Sequence, residues 1–254
     1  MSVSQPPTLS ELKSHPVVSS EEWLEARRRL LEKERQVTRL NDELSTERRK
    51  LPWTKVDKTY VFETTLGRQT LAELFGGRSQ LIIYHFMFGP GWKEGCDGCS
   101  FLSDHFDGAN LHLAHHDVTL LAVSRAPLAE FLPFKKRMGW KFKWVSSHDS
   151  DFNFDFHASA DPERQSKALY NYEEIDAADS GGEHHGISVF FKDSDGAIYH
   201  TYSCYARGVD SLCTTHNFLD LTPKGRNERS TMDWVKLHDQ YESEEDTSGC
   251  RCGK

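Results

Sequence analysis

Two of the six cysteines of the chain, Cys96 and Cys99, form a C-x-x-C arrangement. They follow an apolar run typical of a buried strand and a glycine-rich loop, where the next helix is expected to begin. At a helix start, unpaired backbone N–H groups and the helix dipole lower the pKa of a thiol from about 8.5 to roughly 3.5–7.5. We therefore expect Cys96 to be the attacking sulfur. Cys99 lies within one helical turn of it and is expected to resolve the mixed disulfide.

Other interpretations of this pair remain open. A C-x-x-C is half of a zinc site, which needs two more ligands at a suitable spacing. His105 follows six residues after Cys99, and no second C-x-x-C is present. The pair could also be inert and buried. A thiol peroxidase typically carries Thr or Ser three residues before its nucleophile, where this chain has Lys93, so a peroxidase is disfavoured.

Thirteen histidines raise the question of a metal site. His112, His115 and His116 have helical spacing, so they could share one face. However, they fall near the predicted end of a helix, where an imidazolium suits the helix dipole, and no cysteine or carboxylate is fixed beside them. We therefore predict that the chain binds no metal and needs no cofactor.

The remaining four cysteines are expected to have other roles. Cys204 follows a predicted strand and Cys213 lies in a predicted helix, and both fit small buried residues. Either one could act as a third redox partner if it faced Cys96. Cys250 and Cys252 form a C-x-C in an acidic tail, which is either a redox shuttle or without function.

Composition excludes several classes of function. The chain has 254 residues and a formal net charge of -8, from 31 basic and 39 acidic side chains. This charge argues against nucleic acid and anionic lipid as partners. The longest apolar run, 81–88, is far shorter than the roughly 18–20 residues of a membrane span. Since residues 1–20 also lack an apolar signal core, we expect a cytoplasmic protein whose cysteines stay reduced.

The first predicted element is a long amphipathic helix that begins near Ser20. Ser19 and Glu22 form a capping box, and apolar residues recur every seven positions from Trp23 to Leu51, where Pro52 closes the pattern. The stripe is consistent with a helix laid across its own domain or with a homodimeric coil.

Strand and helix patterns alternate in the rest of the chain, which predicts a mixed sheet with helices on both faces. Strands are predicted at 60–63, 81–88, 118–124, 141–145, 186–191 and 197–202, the last two joined by a hairpin turn. Helices are predicted at 71–75, 100–114, 127–138 and 232–241, and the polar segment 158–185 is predicted to be an excursion from the core.

Several longer runs resemble one known family. These runs are YHFMFG (84–89), GCDGCSF (95–101), DHFDG (104–108), AVSRAPL (122–128), RMGW (137–140), SDFNFDF (150–156), YHTYS (199–203) and LDLTPKGR (219–226). They resemble a bacterial-type family of formerly unknown function, described as thioredoxin-like, predicted dithiol-disulfide oxidoreductases. The resemblance covers about residues 52–227. It implies a thioredoxin fold with peroxiredoxin-like additions and carries the redox pair onto Cys96 and Cys99.

The chain departs from thioredoxin at two points. The segment entering the predicted strand 186–191 has no proline, where thioredoxins place a cis-proline facing the active site. Asp97 and Gly98 stand between the cysteines in place of Gly-Pro, and a carboxylate there is expected to destabilise the thiolate.

We therefore predict an α/β protein with a thioredoxin-like (peroxiredoxin-like) central mixed sheet flanked by helices. The expected division is an N-terminal extension with the amphipathic helix (1–52), the thioredoxin-like domain (53–230), and a C-terminal segment with a flexible acidic tail (231–254). The predicted function is thiol–disulfide exchange by Cys96 and Cys99 with a thiol or disulfide substrate and an external reductant. The alternative is a non-catalytic binding or assembly module whose cysteines are structural or bind zinc.

Overall fold

The computed structural model describes residues 7–241, and most of its strands coincide with the apolar runs of the sequence. The strands are β1 (Thr54–Lys55), β2 (Val61–Thr64), β3 (Gly67–Thr70), β4 (Gln80–His85), β5 (Val118–Ser124), β6 (Lys143–Ser146), β7 (Lys167–Tyr170), β8 (Glu173–Asp176), β9 (Gly186–Lys192) and β10 (Ile198–Tyr205). The α-helices are α1 (Leu9–Lys13), α2 (Ser20–Lys50), α3 (Leu71–Leu74), α4 (Asp97–Ser103), α5 (Phe106–His115), α6 (Leu128–Arg137), α7 (Phe152–Asp155) and α8 (Thr214–Leu219). Two 3-10 helices span Ala206–Leu212 and His238–Gln240.

The central sheet has the strand order β1-β10-β9-β4-β5-β6-β2-β3, and β7 pairs with β8 in a separate hairpin. β4, β5 and β6 are parallel because helices connect them: α4 and α5 lie between β4 and β5, and α6 lies between β5 and β6. β9 runs antiparallel to both of its neighbours, β4 and β10. Four inner strands in the order β10-β9-β4-β5, with β9 reversed, make the mixed sheet of a thioredoxin-like fold. The predicted fold class is confirmed.

The sheet is buried on both faces, and successive side chains of one strand contribute to opposite clusters. Leu81 and Ile83 of β4 belong to one apolar cluster. Tyr84 belongs to the other, which is rich in aromatic rings and includes Phe131 of α6 and Trp144 of β6. The ring centroids of Phe131 and Trp144 are 4.5 Å apart and the rings are stacked. This aromatic cluster lies beneath the helix that begins at the cysteines.

The long N-terminal helix begins as predicted. Ser19 is the N-cap of α2, and its side chain and that of Glu22 form the reciprocal capping box. Within residues 7–241, α2 buries none of its own residues, and the side chains of its heptad stripe are exposed, Trp23 at 59% and Val37 at 56%. No helix in this part of the chain is both long and apolar enough to cross a bilayer.

The single helix predicted at 100–114 is wrong, because the chain forms α4 and α5 with a break between them. His105 lies at the break. One of its ring nitrogens contacts the carbonyl oxygen of Leu102 (3.2 Å), and the other contacts the hydroxyl of Thr215 at the start of α8 (2.9 Å). These contacts of His105 lie where α4 ends and α5 begins.

The polar segment 158–185 lies outside the central sheet and contains the β7–β8 hairpin, which the sequence analysis did not predict. Asn171 and Tyr172 connect the two strands, and both have positive φ angles, 49° and 66°. Such a two-residue turn usually carries Asn-Gly or Asp-Gly. Tyr at the second position removes the sequence signal for the hairpin.

A helix at 232–241 is not formed, and only the short 3-10 turn His238–Gln240 lies there. Met232 has φ 62°, a left-handed conformation that does not occur within an α-helix. The side chains of Val235 and Leu237 instead enter the aromatic core from an irregular backbone. The domain boundaries 1–52, 53–230 and 231–254 stay a prediction.

Candidate functional site at the start of helix α4

The loop between β4 and α4 fixes the position of Cys96. The N–H of Ala126 donates to the carbonyl of Phe88 (3.0 Å), which holds the loop against the end of β5. The N–H of Cys96 then donates to the carbonyl of Met87 (3.3 Å). Backbone hydrogen bonds therefore hold Cys96 at the edge of the sheet where β4 and β5 end.

Gly95 allows this loop to approach the core. A side-chain Cβ at this position would lie 2.5 Å from the ring of Phe86 and 2.9 Å from the ring of Phe134. Only glycine fits the backbone this closely against both rings. The residue before Cys96 is therefore determined by packing beneath the site.

Cys96 is the N-cap residue of α4 and is half-buried. Its pKa is lowered to about 6, chiefly because the Cys99 thiol donates a hydrogen bond to its sulfur. Burial opposes this shift, while the backbone amides of Cys99 and Gly98 near the sulfur assist it, without completing a capping hydrogen bond. Asp97 raises the pKa of Cys96, as the sequence predicted.

Cys99 has the opposite properties and is 2% exposed. Burial raises the pKa of Cys99 well above its usual value, and donation of its proton to Cys96 raises it further. The N–H of Met87 lies 3.5 Å from the Cys99 sulfur, and Tyr84 also reaches this sulfur. The site thus pairs a half-buried sulfur whose pKa is lowered with a buried sulfur whose pKa is raised.

Residues 12–241 match the sequence family described as "Bacterial protein of unknown function (DUF899)". The chain belongs to this family. The matched region includes Cys96, Cys99 and all ten strands. The family description names no activity. No curated protein matches the chain significantly.

Solved structures with a similar fold include a mutant of PrxQ from Xylella fastidiosa, with 13% identity and a TM-score of 0.42 over 63% of this chain and 88% of that one. The bacterioferritin comigratory protein of Xanthomonas campestris has 13% identity and a TM-score of 0.40 over 62% and 89%. A putative thiol:disulfide interchange protein DsbE from Chlorobium tepidum has 9% identity and a TM-score of 0.40 over 65% and 97%. Similarities this distant carry no conclusion about the chemistry of this chain.

Met232 lies beside Gly98 at the start of α4, a position that the sequence does not reveal. A Cβ placed on Gly98 would lie 3.5 Å from the Met232 sulfur and 3.9 Å from the Cys96 sulfur. The N–H of Met232 donates to the largely buried carboxylate of Glu228 (2.9 Å), which helps to hold its left-handed backbone. Met232 therefore covers one side of the α4 start, although more than 130 residues separate it from Cys96.

No group of three or more His, Cys, Asp or Glu side chains within residues 7–241 is arranged to hold a metal ion. His112 and His115 lie in the last turn of α5 and His116 is its C-cap, as predicted. His105, the nearest histidine to Cys99 in the sequence, is engaged with Leu102 and Thr215. That the chain binds no metal and no cofactor stays a prediction.

The other two cysteines that the structure describes are free thiols. Cys204 lies on β10, and burial raises its pKa. Cys213 is the N-cap of α8 rather than a residue within a helix, and burial raises its pKa to about 11. Cys250 and Cys252 lie outside the described residues, so the idea of a tail shuttle stays a prediction.

Proposed function

We propose that this protein is a thiol–disulfide oxidoreductase in which Cys96 attacks and Cys99 resolves. The observation that carries the proposal is the placement of the pair: Cys96 is a half-buried N-cap residue at the start of α4, and the buried Cys99 lies three residues further on in the same helix. Cys96 has its pKa lowered to about 6 and is reachable from solvent, whereas Cys99 is buried and its pKa is raised. This contrast supports Cys96 as the attacking sulfur and Cys99 as the resolving one.

The reaction proceeds in two exchanges. The Cys96 thiolate attacks one sulfur of a substrate disulfide, forms a mixed disulfide, and expels the other substrate sulfur as a thiolate. Once Cys96 is bonded, it is no longer an anion and no longer raises the pKa of Cys99. Cys99 then passes its proton to that thiolate, attacks the Cys96 sulfur and expels the second substrate sulfur as a thiolate, which takes a proton from water. The products are two substrate thiols and a Cys96–Cys99 disulfide, which an external dithiol reduces in the next cycle.

Glutathione disulfide tests the order of attack. In Cys99→Ser, the mixed disulfide on Cys96 has no resolving sulfur, so intact mass spectrometry should show one stable glutathione adduct. Wild type should instead lose two hydrogens as the internal disulfide forms, and Cys96→Ser should gain no adduct at residues 96–99. Cys204→Ser is the matched control and should behave as wild type. An adduct that forms equally well in Cys96→Ser would refute the assignment.

The reduction potential of the Cys96–Cys99 couple decides the direction of exchange. A reduction potential of about -270 mV is that of a reductant such as thioredoxin, and a potential of about -120 mV is that of an oxidant. Asp97 opposes the Cys96 thiolate. Because it destabilises the reduced form, this carboxylate moves the potential toward the reducing end. The cytoplasmic location predicted from the sequence stays a prediction.

The second candidate function is that of an assembly module, and the exposed stripe of α2 favours it. Trp23, Leu30, Val37 and Leu44 repeat every seven residues and are about half exposed. Ion pairs such as Arg27–Glu34 (2.7 Å) flank the stripe. This pattern fits pairing of α2 with a second copy of the chain.

Sedimentation and metal analysis separate the two candidates. If α2 pairs, Val37→Glu should convert a dimer to a monomer, while the exposed control Glu43→Gln leaves the dimer intact. Stoichiometric zinc that is lost in Cys99→Ser would favour a structural role of the cysteines over exchange. A monomeric wild type would exclude pairing through α2 and leave the redox proposal untouched.

A further inference from the structure

A cavity lies between α5 and one face of the sheet, and neither Cys96 nor Cys99 lines it. Its volume is about 540 Å³. Ile82 of β4, Val189 of β9 and Leu113 of α5 form its apolar walls, and the 3-10 helix Ala206–Leu212 borders it. Arg48 of α2 also lines it, and we name it the Arg48 cavity. Small-molecule sites commonly have volumes of about 300–1,000 Å³ and mostly apolar walls.

The permanent charge that lines this cavity is positive. Among the described residues that line it, Arg48 is the only one with a permanent charge, and none is Asp or Glu. This is unusual on a chain whose net charge is -8. The lining therefore complements a ligand with one anionic group and an apolar body.

Arg48 is exposed, lines this cavity and forms no ion pair on its helix within residues 7–241. Leu44 and Ser45 stand four and three residues before it, so α2 offers it no carboxylate at helical spacing. Its guanidinium lies 5.5 Å from the centre of the Tyr202 ring. Within residues 7–241, no carboxylate oxygen lies within 4 Å of it, whereas the nearby Lys50 is paired with Glu47 (2.8 Å).

Cys204 provides a neutral thiol in the same cavity. It lies two residues after Tyr202 on β10, and burial raises its pKa, so it stays uncharged at neutral pH. It therefore does not repel an anion. Its thiol also reports on whether the cavity is filled, because a bound molecule would shield it from alkylation.

We propose that the Arg48 cavity binds an amphipathic monocarboxylate, such as a straight-chain fatty acid of medium length. The alkyl chain lies between α5 and the sheet, where it is shielded from water by Ile82, Leu113 and Val189. The carboxylate lies at Arg48, whose planar guanidinium can donate two parallel hydrogen bonds to it. The cavity shares no lining residue with the Cys96–Cys99 pair, so this proposal does not depend on the redox proposal.

Calorimetric titration of the full chain with decanoate, decanol and decyltrimethylammonium tests the proposal, since these probes share an alkyl chain and differ in head group. Decanoate should bind tightest. Arg48→Gln should weaken decanoate about tenfold through loss of the charged hydrogen bonds, and change decanol less than about twofold. Arg49→Gln, one residue further on α2, is the matched control and should leave all three unchanged.

Alkylation of Cys204 by N-ethylmaleimide gives an independent measurement on the unaltered chain. Saturating decanoate should slow labelling of Cys204, identified by peptide mass, and leave labelling of Cys96 unchanged. Three results would each overturn the proposal. The three probes could bind with equal affinity, Arg48→Gln could bind decanoate as tightly as wild type, or saturating decanoate could leave the alkylation rate of Cys204 unchanged.

Discussion

Two cysteines of this chain occupy the same kind of position and have opposite chemistry. Cys96 is the N-cap of α4 and Cys213 is the N-cap of α8, and neither side chain makes a capping hydrogen bond. Yet the pKa of Cys96 is lowered to about 6, and that of Cys213 is raised to about 11. A helix start is therefore not sufficient to make a thiolate.

The difference comes from the neighbours of each sulfur. The Cys99 thiol donates to Cys96, and this is the largest cause of its lowered pKa. Within residues 7–241, no side chain donates a hydrogen bond to the Cys213 sulfur. It is buried, and the nearby carboxylate of Asp210 raises its pKa further. A protonated second sulfur, rather than the helix alone, is what distinguishes the candidate active site.

Alkylation rates at pH 7 should show the largest contrast. With pKa values near 6 and 11, the thiolate fractions of Cys96 and Cys213 differ by about 10⁴-fold. A thiolate of lower pKa is less nucleophilic, with a Brønsted coefficient of about 0.4–0.5, which reduces the ratio to about 50-fold. Burial of Cys213 should increase the ratio further. Iodoacetamide labelling followed by peptide mass spectrometry measures both rates, and similar rates would contradict the comparison.

Removal of the donor at Cys99 should bring Cys96 closer to Cys213. Cys99→Ala eliminates the largest cause of the shift, so the midpoint of Cys96 alkylation against pH should rise by about one unit or more, a tenfold or greater change in the ionisation equilibrium. Cys99→Ser keeps a hydroxyl donor and should move the midpoint less. Equal midpoints in both variants and wild type would show that the helix start alone sets the pKa.

Local patterns in the sequence predict the elements that carry this site. The strand at Val118–Ser124 is found at its predicted residues, because an apolar run is bounded by polar residues at each end. The start of α2 follows from its capping box, a contact between residues three apart. The β7–β8 hairpin was missed because its turn places Tyr172 at a positive φ, which no turn signal in the sequence marks.

The site itself could be predicted only in part. The spacing of Cys96 and Cys99 indicates a redox pair, and the effect of Asp97 follows from its charge. The lowered pKa of Cys96 depends on the neighbouring Cys99 thiol, whose burial is a tertiary feature. Met232 reaches the site through a left-handed backbone that local patterns argue against.

The carboxylates beside the two N-cap cysteines allow a matched test with smaller effects. Asp97 raises the pKa of Cys96 and Asp210 raises that of Cys213. Asp97→Asn should therefore lower the alkylation midpoint of Cys96, and Asp210→Asn should lower the midpoint of Cys213, each by less than about one unit. Cys213 should remain unreactive at pH 7 in Asp210→Asn, because burial still holds its pKa high. If the midpoint rises in either variant, the carboxylate does not raise the pKa of its cysteine, which would contradict the comparison.

Met232 should affect access to Cys96 rather than its charge, and this effect should be the smallest. Its thioether lies beside Gly98 at the start of α4, so Met232→Ala opens that side of the sulfur. Alkylation of Cys96 should become about two- to threefold faster at every pH, while the midpoint stays where it is, because Met232 carries no charge. Met138→Ala, which removes a buried methionine from the aromatic core, is the matched control and should not change the rate if the protein stays folded. A shifted midpoint in Met232→Ala would mean that the methionine sets the environment of the thiolate, and that the contrast between the two N-cap cysteines depends on a third sulfur.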